Sequence, residues 1–347
     1  MHSSGKWSAV AACLGALALA GCSTAEFRPD AAMTDAGSFT NPLLPSGPDP
    51  WVTQQDGVYY YTHTLGDRIA LWRTRDVTRL AEAEQRTVWT PPASGPNAHS
   101  IWAPELHRIQ GKWYLYYSAT ASGYTDDAHR GVFVLENDSA DPFAGKWIDR
   151  GQVKTARTGI DGTVFTYGGA LYFAYSPYVG AVSGIALSRM ADPWTLAGEE
   201  VVIATADRPF EDQGGRQIME GPEFLQGPDG TVFLTYSAGA CWADNYALGL
   251  LRADGRDLLR RESWTKAPVP VLSSANGVFA TGHNGFFRSP DDREQWIVFH
   301  GNPGPGMGCT QKRAPYLSRV RWSEGTPRID PPSAAGVRMA KPSGTSD

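Results

Sequence analysis

Cysteine is scarce in this chain of 347 residues: four copies, at positions 13, 22, 241 and 309, with no spacing that suits a metal-ligand cluster. Basic charge is not in excess either. Lys and Arg number 31 against 36 Asp and Glu, for a net charge of −5, and no basic block stands out. That argues against nucleic acid as a partner. No apolar run is long enough to cross a membrane as a helix: the 13-residue stretch at 8–20 (SAVAACLGALALA) falls short of the ~20 residues required. Helix-friendly composition is missing too. Gly (38) and Pro (25) break helices and make turns, while 12 Trp, 14 Tyr and 13 Phe favour strands. These exclusions point to an all-β protein, and the 41% hydrophobic content is enough for a large core. Length alone does not choose between one large domain and two small ones.

The short apolar run ends in Leu19-Ala20-Gly21-Cys22, which resembles a bacterial lipoprotein signal. On that reading 1–21 is removed and the Cys22 thiol takes a lipid. The protein would then be exported and held at a bacterial membrane, at the outer membrane or cell surface. Residues 22–40 are small and polar and read as a tether. Cleavage also removes Cys13. Cys241 and Cys309 then remain, and an exported protein can keep the one intrachain bond they allow.

One pattern recurs five times: a polar residue, a turn, an aromatic strand, a loop and a further strand. Its aromatic strands read VYYYTH (58–63), WYLYYSA (113–119), LYFAYSP (171–177), TVFLTYS (231–237) and QWIVFHG (295–301). The leading residues are Asp49, Glu105, Asp161, Glu220 and His283, spaced by 56, 56, 59 and 63. Several strands at such spacing mark propeller blades, so a five-bladed β-propeller is expected over 41–325, with a tail at 326–347. The first strand of a blade lines the central channel, and its start lies at one mouth. Five equivalent starts would gather four acids and an imidazole there, an arrangement costly enough to mark a functional site. Cys241 and Cys309 each follow the second strand of adjacent blades, in loops returning to that mouth. A bond between them is expected at its rim.

Carboxyls in an aromatic funnel suit sugars, whose rings offer apolar faces to Trp and Tyr and hydroxyls to Asp, Glu and Arg. Glycoside hydrolysis needs one protonated and one ionised carboxyl, and ~6.5–9.5 Å between them leaves room for an inverting water. Carboxyls on different blades suit that separation.

The stretches Gly47-Pro-Asp-Pro-Trp51, Ile101-Trp-Ala-Pro-Glu-Leu106, Ile160-Asp-Gly-Thr-Val-Phe165, Met219-Glu-Gly-Pro-Glu223, Gly282-His-Asn284 and Arg313 to Trp322 occur in order at blade spacing. Together they make roughly 41–323 resemble glycoside hydrolase family 43, five-bladed propellers acting on arabinose- and xylose-containing polymers. The resemblance implies that Asp49 is the general base, Glu220 the general acid, and Asp161 the helper that orients the acid and holds it protonated. It implies that Arg313 hydrogen-bonds the terminal sugar and that His283 contacts a channel calcium, directly or through water. No cofactor is then required for the chemistry, a structural Ca2+ being the one ion implied. Trp102 is expected as an apolar wall for the sugar, Glu105 as support beneath the site, and His300 as packing. Glu223, three residues after Glu220, is expected to face away, because odd offsets reverse the face of a strand.

The expected activity is that of an inverting α-L-arabinofuranosidase, a monomer acting on plant arabinan or arabinoxylan fragments. A β-xylosidase or an endo-1,5-α-L-arabinanase of the same family are the alternatives. A non-catalytic glycan-binding lipoprotein would need the funnel but no matched acid and base.

Overall fold

The computed structural model describes residues 37–255 and 257–346; the expected lipoprotein signal and most of the expected tether lie outside them. Five four-stranded antiparallel sheets follow one another along the chain, each with its strands in chain order. The fold is the five-bladed β-propeller expected. Blade one is Trp51–Gln55, Val58–Thr62, Ile69–Thr74 and Glu84–Trp89; blade two is His99–Ile109, Lys112–Thr120, Gly131–Asn137 and Ile148–Gln152. Blade three is Gly159–Tyr167, Ala170–Val179, Val182–Asp192 and Thr195–Thr205. Blade four is Met219–Gln226, Val232–Ala238, Ala247–Ala253 and Trp264–Lys266; blade five is Phe279–Arg288, Gln295–Asn302, Ala314–Ser323 and Thr326–Ile329.

The first hairpin of blades one to three closes through two residues. Asp56-Gly57, Gln110-Gly111 and Gly168-Gly169 all have positive φ. Such a turn matches the right-handed twist of the flanking strands. Five hydrophobic clusters hold the ring, one at each seam between adjacent blades. The aromatic second strands supply much of them: Tyr59, Tyr61, Trp113, Tyr117, Phe173, Tyr236 and Trp296 are all buried. Burying each such side chain stabilises the fold by roughly 1.5–3 kcal/mol.

Among the described residues no strand is exchanged between the last blade and the first. Instead Ser38–Thr40 pairs with Arg338–Ala340 in a separate two-stranded ribbon. Phe39 and Met339 pack into the blade five–blade one seam, and the Asn41 side chain bonds both the N–H and the C=O of Leu317. Ordered structure therefore runs past the boundaries expected at 40 and 326. Thr326–Ile329 completes blade five, a strand too short to stand out by alternation.

Each inner strand bends at a residue with left-handed backbone at or just before its start: Asp49 (φ 53°), Ala103 (43°), Asp161 (57°), Gly221 (54°) and His283 (45°), with Ser100 (53°) and Ala280 (49°) as second such residues in blades two and five. In blades two to five a β-bulge accompanies the bend. These five positions, one per blade, are the real equivalents around the ring. Left-handed backbone is uncommon outside glycine and tends to persist where surrounding structure enforces it, often at functional sites.

Candidate active site

Asp49 stands between blades one and five. Its Oδ1 accepts from Arg313 Nη1 at 2.8 Å, and its Oδ2 accepts from the Thr64 hydroxyl at 2.7 Å. That hydroxyl in turn accepts the Ala103 N–H, tying the site to blade two. The Asp49 N–H donates to His300 Nδ1 at 3.1 Å. Burial pushes the Asp49 carboxyl up, but Arg313, His283 and His300 outweigh it and hold it well below the usual carboxylate range. Asp49 is therefore ionised at neutral pH. His300 is buried and pushed down to about 3, so it is a neutral acceptor. It fixes the Asp49 backbone, a more specific task than the packing expected of it.

Glu220 is enclosed by protein but keeps an opening to the pocket. Burial above all raises its carboxyl, to about 7; the Tyr246 hydroxyl, donating to Oε1 at 2.7 Å, works in the opposite direction. Asp161 is a third carboxyl of the same pocket. Its N–H donates to Ser118 Oγ, and its Oδ2 accepts the N–H of Gly221, the residue after Glu220. Burial, then the Glu220 and Asp49 charges, push Asp161 well above the normal range. Two buried carboxyls that repel each other share protons as a unit. Asp161 thus competes for the proton as well as clamping the backbone beside the acid, and burial is the main reason Glu220 stays protonated.

Asp49, Asp161, Glu220, His283, Trp102 and Arg313 line one pocket of about 450 Å³, so the structure brings together every candidate singled out for chemistry or sugar contact. Trp102 carries the Arg130 guanidinium 3.3 Å over one face of its ring. His283 Nδ1 lies 3.6 Å from Asp49 Oδ1 and 4.0 Å from Asp161 Oδ2, while its backbone N–H donates to Ser237 Oγ. Among the described residues no group of three or more His, Cys, Asp or Glu is arranged to hold a metal ion. Around His283 one neighbouring oxygen is already taken by Arg313 and the other by the Gly221 N–H. This donor set suits hydrogen bonding rather than direct calcium ligation, and no step below passes through a metal.

Two expectations are corrected. Glu105 is not at the mouth: it lies two residues beyond Ala103, deeper in the channel, where His107 Nε2 contacts it at 2.8 Å. Glu223 does not face away. Across the bulge Glu220 pairs with Ser237 and Glu223 with Thr235, so three residues on one strand match two on the next. The extra residue returns Glu223 to the channel face, where it meets Glu105; burial first, then the Glu105 charge, raises its carboxyl well above normal. A glycine inside a strand signals a bulge, and Gly221 was that signal. Tyr246 and Thr64 went unnoticed, and nothing in their loops distinguishes them by pattern.

Cys241 and Cys309 are joined, Cα atoms 5.3 Å apart, linking a blade four loop to a blade five loop at the pocket wall.

A family model for Glycosyl hydrolases family 43 matches residues 39–327. The chain belongs to that family. An extracellular exo-alpha-(1->5)-L-arabinofuranosidase of Streptomyces avermitilis is 38% identical over 86% of this chain, which spans 65% of that relative's length. A protein of the same description from Streptomyces chartreusis is 38% identical, over 76% of this chain and 82% of its own. Among solved structures, an alpha-L-arabinofuranosidase from Lactobacillus brevis superposes with a TM-score of 0.81 at 30% identity, covering 86% of this chain and 98% of that one. The family 43 chain described here shares with the Lactobacillus brevis enzyme the frame on which the pocket is built.

Proposed function

We propose that this family 43 glycoside hydrolase is an inverting, exo-acting α-L-arabinofuranosidase releasing terminal arabinose from α-1,5-linked arabinan or from arabinoxylan fragments. The observation that carries this reading is the pairing, in one pocket, of an ionised Asp49 with a Glu220 that holds its proton near pH 7. Asp49 takes a proton from water as the water oxygen attacks the anomeric carbon. The carbon–oxygen bond to the leaving sugar breaks, and Glu220 gives its proton to the departing oxygen. Asp161 positions Glu220 through Gly221 and takes part in its protonation. Arg313 holds Asp49 ionised and, from the same wall, is placed to bind a sugar hydroxyl.

Exo action is supported by the rim. Asp127 of blade two meets Arg216 at 3.3 Å, and the hairpin carrying Arg216 receives the Trp242 N–H at Gly214 O. Cys241 then joins Cys309. This chain of contacts walls one side of the pocket, where an endo-acting enzyme needs an open groove. The relatives named arabinofuranosidases favour arabinose over xylose. Export fits the relatives named extracellular, and anchoring by lipid on Cys22 belongs to the same proposal. The test is proton NMR of the first product from α-1,5-L-arabinobiose. Inverted arabinose is expected; retained configuration, or oligomer release from linear arabinan, would sink the reading.

A further inference from the structure

Trp242 is 46% exposed, yet it is tied at two points. Its indole N–H donates to Gly214 O at 3.0 Å, and its neighbour Cys241 is bonded to Cys309. Gly214 has φ +73°, and a Cβ there would stand 2.7 Å from Trp242 Nε1 and 2.9 Å from Ala240 Cβ. Only glycine lets the hairpin approach the ring this closely. With its polar atom satisfied and its backbone stapled, the indole lines the pocket and offers bare apolar surface.

Its position has a direction. Glu220 is the second residue of the inner strand of blade four and pairs with Ser237 on the second strand; the chain leaves that strand at Ala238 and reaches Trp242 four residues later. Trp242 therefore belongs to the acid's blade, while Asp49 and Arg313 belong to blades one and five. The leaving group departs toward the acid. We infer that Trp242 is the platform for the sugar on the leaving-group side of the scissile bond. The C–H face of a second pentose packs on the indole, and the Cys241–Cys309 bond and Gly214 keep the ring in place. This rests on the arabinofuranosidase reading and adds to it a determinant for chain substrates over small leaving groups.

Two substrates separate the roles. α-1,5-L-Arabinobiose has a leaving-group sugar; α-L-arabinofuranosyl fluoride has none. In Trp242→Ala the ratio of kcat/KM for the biose to that for the fluoride should fall about tenfold or more, the loss typical of an anchoring Trp. Trp242→Phe keeps a flat apolar face and should restore most of the ratio, and it keeps the test valid if the alanine variant folds poorly. A Cys241→Ser/Cys309→Ser double variant should shift the ratio in the same direction by less. An unchanged ratio in Trp242→Ala, or a fall that Phe does not repair, overturns the platform. Wild-type enzyme that turns over neither arabinosyl substrate would instead overturn the arabinofuranosidase reading itself.

Discussion

Two sets of buried carboxyls sit one above the other in the channel. The upper set, Asp49, Asp161 and Glu220, opens into the pocket. The lower pair, Glu105 and Glu223, is walled by His107 and by Trp51, whose ring lies 4.8 Å from that of His107 and whose N–H bonds the Leu106 carbonyl. Burial raises Glu220 above and Glu223 below alike. A raised carboxyl therefore does not by itself mark catalysis. What distinguishes the upper set is access, a cation on one member, and opposite protonation within reach of one sugar.

The comparison breaks or sharpens under substitution. Asp49→Asn or Glu220→Gln should lower kcat on arabinobiose by about 10²–10⁴, with substrate binding retained. Equal loss in Glu223→Gln would erase the distinction between the two sets. Next in size is pH. kcat/KM should decline as pH rises through about 7, because Glu220 then loses the proton it must donate, and should decline in acid only well below the normal carboxylate range, where Asp49 is protonated. Removing the Tyr246 hydroxyl should cost about tenfold or less in kcat. It should also move the alkaline limb to higher pH, since that hydrogen bond favours ionised Glu220. A limb that stays in place in Tyr246→Phe would remove Tyr246 from the proton's control.

Glu223→Gln should alter activity least, by about twofold or less. Its effect belongs in stability. A carboxyl raised on folding contributes stability at low pH that is lost as pH rises through its folded value, so the glutamine variant should melt higher than wild type at pH 8. The gain should shrink toward pH 5. Thermal unfolding at the two pH values checks it.

The blades and the upper carboxyls were legible because both follow from repetition: five aromatic strands in phase, each with a polar residue before it. Glu223 was misread because alternation assumes an unbroken strand, and one left-handed residue resets the count. The same bends explain why Glu105 aligned with Asp49 in the linear repeat but sits a level lower; its ring equivalent is Ala103. Tyr246 and Trp242 lie in a loop whose path is set by long-range contacts, with Glu220 and with the 212–217 hairpin respectively. The terminal ribbon escaped notice because strands of three residues carry no periodicity.

The ring has unequal joints. Blades four and five are riveted by a covalent cross-link, whereas blades five and one meet through packing, the terminal ribbon and hydrogen bonds, among them those of Arg313 and His300 with Asp49. Heat that opens the ring at that joint need not unfold any blade. The base and the cation that keeps it charged stand on opposite sides of it, so the enzyme would fall silent while its blades were still intact.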